Sequence, residues 1–398
     1  MIATGGGTPL INPLVPLAWA FRVTGHDVRL VGKPHLGPAL TDTALPVVTL
    51  GRPPDPKAMA GLRGSSFYDD DRPWPKDWPA HPDALEPWQR DVVYELRRYT
   101  LAVAAGMADD LVAFARQWRP DLILYEPLAL SVTAAPDVCC VLTAHGTQDV
   151  WRMDHDLDGN PLPEYVELLA RFGAEPPTGL PHYVDTMPPS MYIGGERPCA
   201  TMRWVVFNGK GVAPDSLPEP RRRPRVCVSW GMSTPRALGA SAVDPYRDAI
   251  AAALKFGAEV LVHAPTEQLA NLGAPPDGVR YLAETPLNLI LPHCDLHVHH
   301  GGQGSAMTAA ALGIPQLVIT RDPMLAEQAD RTVTLGAGIH FRYRELAADG
   351  DRTNKVHNAI DELLSTDEYL ESATDLRQDI ERQPAPADLV ATLATLAT

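Results

Sequence analysis

Residues 295–313 read DLHVHHGGQGSAMTAAALG. Leu296 and Val298 alternate with His297 and His299, the period of a short strand, so a strand is predicted over Leu296–His300. Gly301, Gly302 and Gly304 form a flexible turn, Ser305 is placed to cap a helix over Ala306–Leu312, and Gly313 ends it. A strand, a glycine-rich turn and a helix N-terminus in succession make an anion site. The glycines let backbone N–H groups approach a ligand, and the helix dipole favours negative charge. His300 adds a side-chain donor at the lip. The pattern suits a diphosphate held without a metal. His293, His297, His299 and His300 also raise a metal cluster, but adjacent strand residues point to opposite faces and cannot share one ion.

Outward from this stretch, short apolar runs alternate with amphipathic ones. Strands are expected at Met1–Thr4, Asp27–Gly32, Val47–Leu50, Leu122–Tyr125, Val138–Thr143, Val226–Ser229, Glu259–His263 and Gln316–Thr320. An early helix carries Leu14, Leu17, Ala18 and Phe21 on one face, with Asn12 as N-cap, Pro13 as first helical residue and Gly25 as stop. Repeated strand–helix alternation gives doubly wound parallel sheets, an α/β class. In such sheets the loops at the carboxyl ends of strands face the ligand. Gly231, Met232 and Ser233, after the Val226–Ser229 strand, are therefore a second candidate binding loop.

The chain has 398 residues, enough for two domains of about 200 residues each. The tract SLPEPRRRP at 216–224 continues neither strand nor helix. It divides the chain into 1–206, a linker 207–224, a second domain 225–380 and a closing helix 381–398. The formal net charge of −15 excludes a phosphate backbone as partner and disfavours an anionic membrane surface. No apolar run approaches the ~18 residues of a membrane span. Five cysteines, none in a CxxC pair, predict neither a disulfide framework nor a zinc site and fit a cytoplasmic location. No cofactor is expected, and a homodimer is an open option. Gly5–Gly7 lacks GxGxxG and no acid follows Gly32, which excludes an ordinary dinucleotide oxidoreductase.

HHGGQGSAMTAAALGIPQLVI resembles the donor signature of GT-B fold glycosyltransferases that decorate antibiotics and plant metabolites. PLVPLAWAFRVTGHDVRLVG resembles their first helix and second strand, and RWVVFNGKGV, RVCVSWGMS, TPLNLILPHCDLHVHHGG and ADRTVTLGAGI extend the likeness over most of the chain. It is nearest to bacterial enzymes using thymidine diphosphate deoxysugars. The resemblance implies two doubly wound Rossmann-like domains facing a central cleft, the acceptor on the N-terminal side and the nucleotide sugar on the C-terminal side. It also implies inverting transfer of a sugar to a small natural-product aglycone. Donor contacts then fall on Gly231, Met232, Ser233, His300, Gly301, Gly302, Gln303, Gly304 and Ser305.

The sequence departs from the family at three places. The usual catalytic His or Asp, three residues before Pro13, is Leu10, which cannot accept a proton. The usual Asp-Gln pair that holds donor hydroxyls is Met324–Leu325, with Asp322 close by as a substitute. An apolar pair suits a sugar with fewer hydroxyls. The usual base-stacking aromatic is Glu284, leaving Trp230 as a replacement. With Leu10 unable to act, Glu126, at the end of the Leu122–Tyr125 strand, is the first candidate base, followed by His145 and Asp149; attack by an aromatic carbon (C-glycosylation) needs no strong base. The competing expectation is a catalytically silent homologue that binds nucleotide or a partner protein. The tract 52–90 and the Met and aromatic residues between 151 and 195 are candidates to line the acceptor.

Overall fold

The computed structural model describes residues 1–53, 74–135, 138–144, 152–177, 182–192, 199–213, 223–231, 244–283, 285–348 and 350–397. The chain forms two compact units. One comprises Met1–Pro188, Tyr192–Phe207 and Gln383–Thr398; the other comprises Pro189–Met191 and Asn208–Arg382.

The first unit holds a parallel sheet of β1 (Ile2–Thr4), β2 (Leu30–Gly32), β3 (Val47–Thr49), β4 (Leu122–Tyr125), β5 (Cys139–Ala144), β6 (His182–Asp185) and β7 (Cys199–Thr201). Their spatial order is β3-β2-β1-β4-β5-β6-β7. The second holds β8 (Arg225–Ser229), β9 (Glu259–His263), β10 (Val279–Leu282), β11 (Leu296–His299), β12 (Gln316–Thr320) and β13 (Gly338–Arg342), also parallel, in the order β10-β9-β8-β11-β12-β13. Both sheets are doubly wound, as the strand–helix alternation predicts. In each, the order reverses beside the first strand, between β1 and β4 and between β8 and β11. The carboxyl ends at such a reversal are where an open α/β sheet binds ligands.

Burial on both faces explains the near-continuous apolar strands. Ile123 and Tyr125 of β4 pack under the long helix Pro87–Trp118 with Ala104, Met107 and Leu111, while Leu124 faces Leu14, Leu17 and Phe21. In the second unit Val226, Val228, Leu296 and Val298 pack with Ala249, Ala253, Val356 and Ile360; Cys227 and Leu261 face Ile290, Leu291 and Ala309 on the other side. The last helix, Pro386–Ala394, buries Leu389, Val390 and Leu393 in the first unit's core beside Leu17 and Phe21.

Several local expectations are corrected. Strand β2 starts at Leu30, not Asp27, because its neighbour β1 begins pairing at the Ile2–Leu30 register; before it Asp27 is exposed and ion-paired with Arg22 and Arg29, while Val28 is buried in the core. Asn12 is not an N-cap. Helical residues already run from Thr8, with Gly7 as cap, and Asn12 itself is helical (φ −56°, ψ −41°). Pro9, Pro13 and Pro16 withhold backbone donors, and the segment runs as Thr8–Ile11, a 3-10 turn Asn12–Leu14 and Val15–Val23. Strands β6, β7, β10 and β13 went unpredicted. β7, β10 and β13 lie at sheet edges, and β10 and β13 are half-exposed, so they carry no apolar run.

Candidate active site

In the second unit the donor signature lies at the β8/β11 reversal. The helix spans Gln303–Leu312, longer than predicted, and Gly313 ends it in the left-handed region (φ 68°). Gly302, not Ser305, is its N-cap. Ser305 sits one turn in, and its amide, like that of Ala306, bonds back to the Gly302 carbonyl (2.9 and 3.0 Å). A glycine cap offers no side-chain acceptor to the first-turn N–H groups, as an anion-binding helix N-terminus requires. The helix is pinned by Thr308: its hydroxyl donates to the Gly304 carbonyl and accepts from the Asn208 side chain, whose Oδ1 takes the Asn288 amide.

His300 is wedged between two glycines. A Cβ at Gly231 would lie 2.5 Å from its Cε1, and one at Gly302 would lie 2.4 Å from its Nε2. Gly231 also has φ +64°. Both positions are glycine because the ring fills the space a side chain would need. The ring is buried, its Nδ1 has no hydrogen-bond partner among the described residues, and burial lowers its pKa to about 4. It is therefore neutral at pH 7, with one N–H to donate.

His297 and His299 share a face of β11, under the Gln303–Leu312 helix, with rings stacked at 4.4 Å. The Ser229 hydroxyl meets His297 Nε2 at 2.8 Å. Gln316 Oε1 meets His299 Nε2 at 2.9 Å, and the Gly301 amide donates to His299 Nδ1 at 3.0 Å. Desolvation holds both rings neutral, His299 at about 3. No group of three or more His, Cys, Asp or Glu among the described residues is arranged to hold a metal. Sequence reasoning weighed His297 and His299 only as metal ligands and missed Gln316. The signal was present: the period of two places both rings on one face, and Gln316 opens the adjacent strand.

The structure thus brings Gly231, His300, Gly301, Gly302, Gln303, Gly304 and Ser305 together. Asp322 follows β12 next to them: Leu325 Cβ is 3.4 Å from where a Gly301 Cβ would be. Its Oδ1 accepts the Met324 amide (2.8 Å) and caps the helix Pro323–Thr334, and desolvation pushes its pKa up to about 7. Trp230 is a correction. It is 1% exposed, tilted against Tyr246 in the core, so no face is open to a nucleobase. Met232, Ser233, Glu284, His145 and Asp149 lie outside the described residues, as do 54–73 of the tract 52–90. From that tract Trp74 and Trp78 are buried, and Trp74 contacts both Trp78 and Trp88. Of the residues between 151 and 195 picked out as acceptor lining, Tyr183 belongs to the first unit's core, and Met153, Met187 and Met191 are buried.

In the first unit Glu126 sits at the β1/β4 reversal, 2% exposed. Its Oε1 accepts from the Thr4 hydroxyl (3.0 Å) and the Gly5 and Gly6 amides (2.6 and 3.2 Å); Oε2 accepts the Leu128 amide (2.8 Å). Burial raises its pKa against these four bonds. Leu10 covers the same turn, its Cδ1 2.4 Å from where a Gly6 Cβ would be. Lys33, fully buried at the end of β2, donates to the Val103 carbonyl (2.7 Å), and burial lowers its pKa to about 8.

Comparison with known proteins places this geometry. The chain matches the erythromycin biosynthesis protein CIII-like family, N-terminal domain over residues 19–231 and C-terminal domain over 247–396. It is 34% identical to aklavinone 7-beta-L-rhodosaminyltransferase of Streptomyces galilaeus, over 97% of this chain and 92% of that one. Its fold is similar to spinosyn rhamnosyltransferase SpnG complexed with thymidine diphosphate (TM-score 0.80, 25% identity, 98% of each chain). It is equally similar to glycosyltransferase VinC in complex with dTDP (TM-score 0.79, 27% identity, 100% of this chain and 98% of that one). These relatives are transferases, which disfavours the silent-homologue reading. The chain belongs to the erythromycin biosynthesis protein CIII-like family of GT-B natural-product glycosyltransferases and is a glycosyl-transferring enzyme.

Proposed function

We propose that this enzyme moves a deoxysugar from a thymidine diphosphate donor to a small natural-product aglycone, inverting the anomeric carbon. The observation that carries the reading is the His300 ring set between Gly231 and Gly302, its Nδ1 without a partner among the described residues, beside a glycine-capped helix N-terminus. On this reading the amides of Gly302, Gln303 and Gly304, with the hydroxyl of Ser305, surround the diphosphate. Gly231, Met232 and Ser233 close its other side. As the glycosidic bond breaks, charge grows on the leaving diphosphate. A neutral imidazole N–H and the helix N-terminus stabilise that charge without reorganising. Asp322 and the apolar Met324–Leu325 pair meet the sugar, and the apolar pair favours one with few hydroxyls, since an unpaired buried hydroxyl costs roughly 1–3 kcal/mol. Relatives named for rhodosaminyl and rhamnosyl transfer support that class of donor.

For an oxygen acceptor a base takes the proton as the new C–O bond forms. Of the three candidates, Glu126 already receives four hydrogen bonds that shape the Thr4–Gly6 turn. We assign it a positioning role and give the proton to His145 or Asp149. For a carbon acceptor on an electron-rich ring, the proton leaves after C–C bond formation and needs only a weak base. Calorimetric titration with thymidine diphosphate tests the donor half: micromolar binding is expected, abolished by Ser305→Trp. A donor scan that prefers a fully hydroxylated hexose overturns the deoxysugar assignment.

A further inference from the structure

We infer that His299 is a positioning residue for donor binding: as a neutral ring protonated on Nε2 it holds the Gly301 amide and sets the glycine turn, and Gln316 selects that tautomer. The inference rests on the proposed role of the 301–305 turn in gripping the diphosphate.

The tautomer follows from two hydrogen bonds. The Gly301 N–H can only donate, so Nδ1, 3.0 Å away, must carry a lone pair. A neutral imidazole with Nδ1 unprotonated must carry its proton on Nε2. The group facing Nε2 must then accept, and it is Gln316 Oε1 at 2.9 Å. Turning the Gln316 amide over would present N–H to N–H, so the orientation is fixed by the same logic. The ring has no room to swing: it is fully buried and stacked on His297, which Ser229 holds. Gly301 is equally confined. It adopts φ +90°, and a Cβ there would meet Thr320 Cγ2 at 2.9 Å and Val318 Cγ1 at 3.3 Å. Its one free adjustment is a rotation of the peptide that carries its N–H, and His299 removes it. His300 and Gly302 flank Gly301 in the chain, so the direction of this amide aims the groups proposed to meet the phosphates.

The surroundings oppose a proton on His299. The titratable neighbours are His297 and His300 on its own segment and His340 on β13, with His263 on β9 acting on His297; His340 is paired with Asp330 and Thr320. Arg342 also reaches Asp330. Among the described residues the His299 ring bonds to Gln316 and Gly301 and to no carboxylate. A second proton would go on Nδ1, against the Gly301 N–H, and break the bond that positions the turn.

Two substitutions separate positioning from mere packing. His299→Asn places an amide oxygen close to the Nδ1 position and keeps the acceptor for Gly301. His299→Gln reaches Gln316 but offers Gly301 nothing. With thymidine diphosphate as calorimetric probe, His299→Asn should bind within about threefold of wild type, and His299→Gln at least about tenfold more weakly. In turnover assays the donor KM should follow that order while the acceptor KM stays unchanged. Gln316→Glu supplies the second measurement. A shared proton on that pair, whether on the carboxyl or the ring, favours Nδ1–H. Its affinity relative to wild type should therefore fall at pH 6–7 and recover toward pH 9. Circular dichroism and melting identify any variant that fails to fold, and the pH recovery of Gln316→Glu is reversible within one folded sample. Equal weakening in both His299 variants, or a pH-independent Gln316→Glu, overturns the inference while wild-type binding leaves the donor reading standing. A wild-type protein that does not bind thymidine diphosphate overturns the donor reading and this inference together.

Discussion

Replacing Glu126 by Gln distinguishes a carboxylate that holds a turn from one that takes a proton. The side chain accepts four hydrogen bonds at 2.6–3.2 Å while 2% exposed. Gln keeps one oxygen, which can serve Thr4, Gly5 and Gly6 as a neutral acceptor. Its amide nitrogen then faces the Leu128 N–H, donor against donor. Leaving that buried pair unsatisfied costs about 1–3 kcal/mol, and three charge-assisted bonds become neutral ones of roughly half the strength. A gain from removing a buried charge, seen in the raised pKa, offsets part of this. The expected net loss is about 2–4 kcal/mol, localised at the β1 turn. Hydrogen-exchange mass spectrometry on a peptide covering residues 1–14 reads it directly, with exchange of the Gly5 and Gly6 amides faster by about 30-fold or more. Thymidine diphosphate affinity, which we propose rests on the second unit, should not change. If exchange and thermal stability of Glu126→Gln match wild type while turnover falls ~100-fold, the loss expected of a missing general base, the positioning role is wrong and Glu126 is the base.

Other outcomes follow from the same geometry. Gly302→Ala and Gly231→Ala each drive a methyl into the His300 ring and should weaken thymidine diphosphate binding at least about tenfold by calorimetry, with the fold intact by circular dichroism. Trp230→Phe should cost about 1–2 kcal/mol in denaturant unfolding but leave nucleotide affinity within twofold, because the ring lies in the core; a large affinity loss would restore a base-stacking role. His299 and His300 have folded pKa values of about 3 and 4, below the unfolded value of 6.5. Their contribution is complete above pH 6.5 and is lost as pH falls toward those values, about 2 kcal/mol each by pH 5. Asp322, raised to about 7, acts in the opposite sense: its folded form takes up a proton more readily, so its term improves as pH drops from 7 toward 4. Scanning calorimetry from pH 7.5 to 5 should therefore show a shallower acid loss for His300→Gln than for wild type.

Local pattern carried much of this protein. Alternation over 296–299, three glycines and a following alanine-rich helix specify a strand, a glycine turn and a helix N-terminus because each feature acts within a few residues of itself. The strand–helix succession likewise specifies a doubly wound sheet, since apolar runs of four to six residues must be covered on both faces. Contacts between distant segments were not legible. Glu126 lies 120–122 residues from the Thr4–Gly6 turn it holds, and Gln316 comes from a neighbouring strand to choose the tautomer of His299. Trp230 follows a strand whose alternation admits either face, and only packing against Tyr246 turned it inward. Edge strands such as β10 and β13 carry no continuous apolar run because they are only partly buried, so their hydrogen-bonded neighbours make them strands. The sequence determined which turn can face a phosphate; tertiary structure decided which side chains hold that turn still, because those bonds join segments that meet only once the sheet has formed.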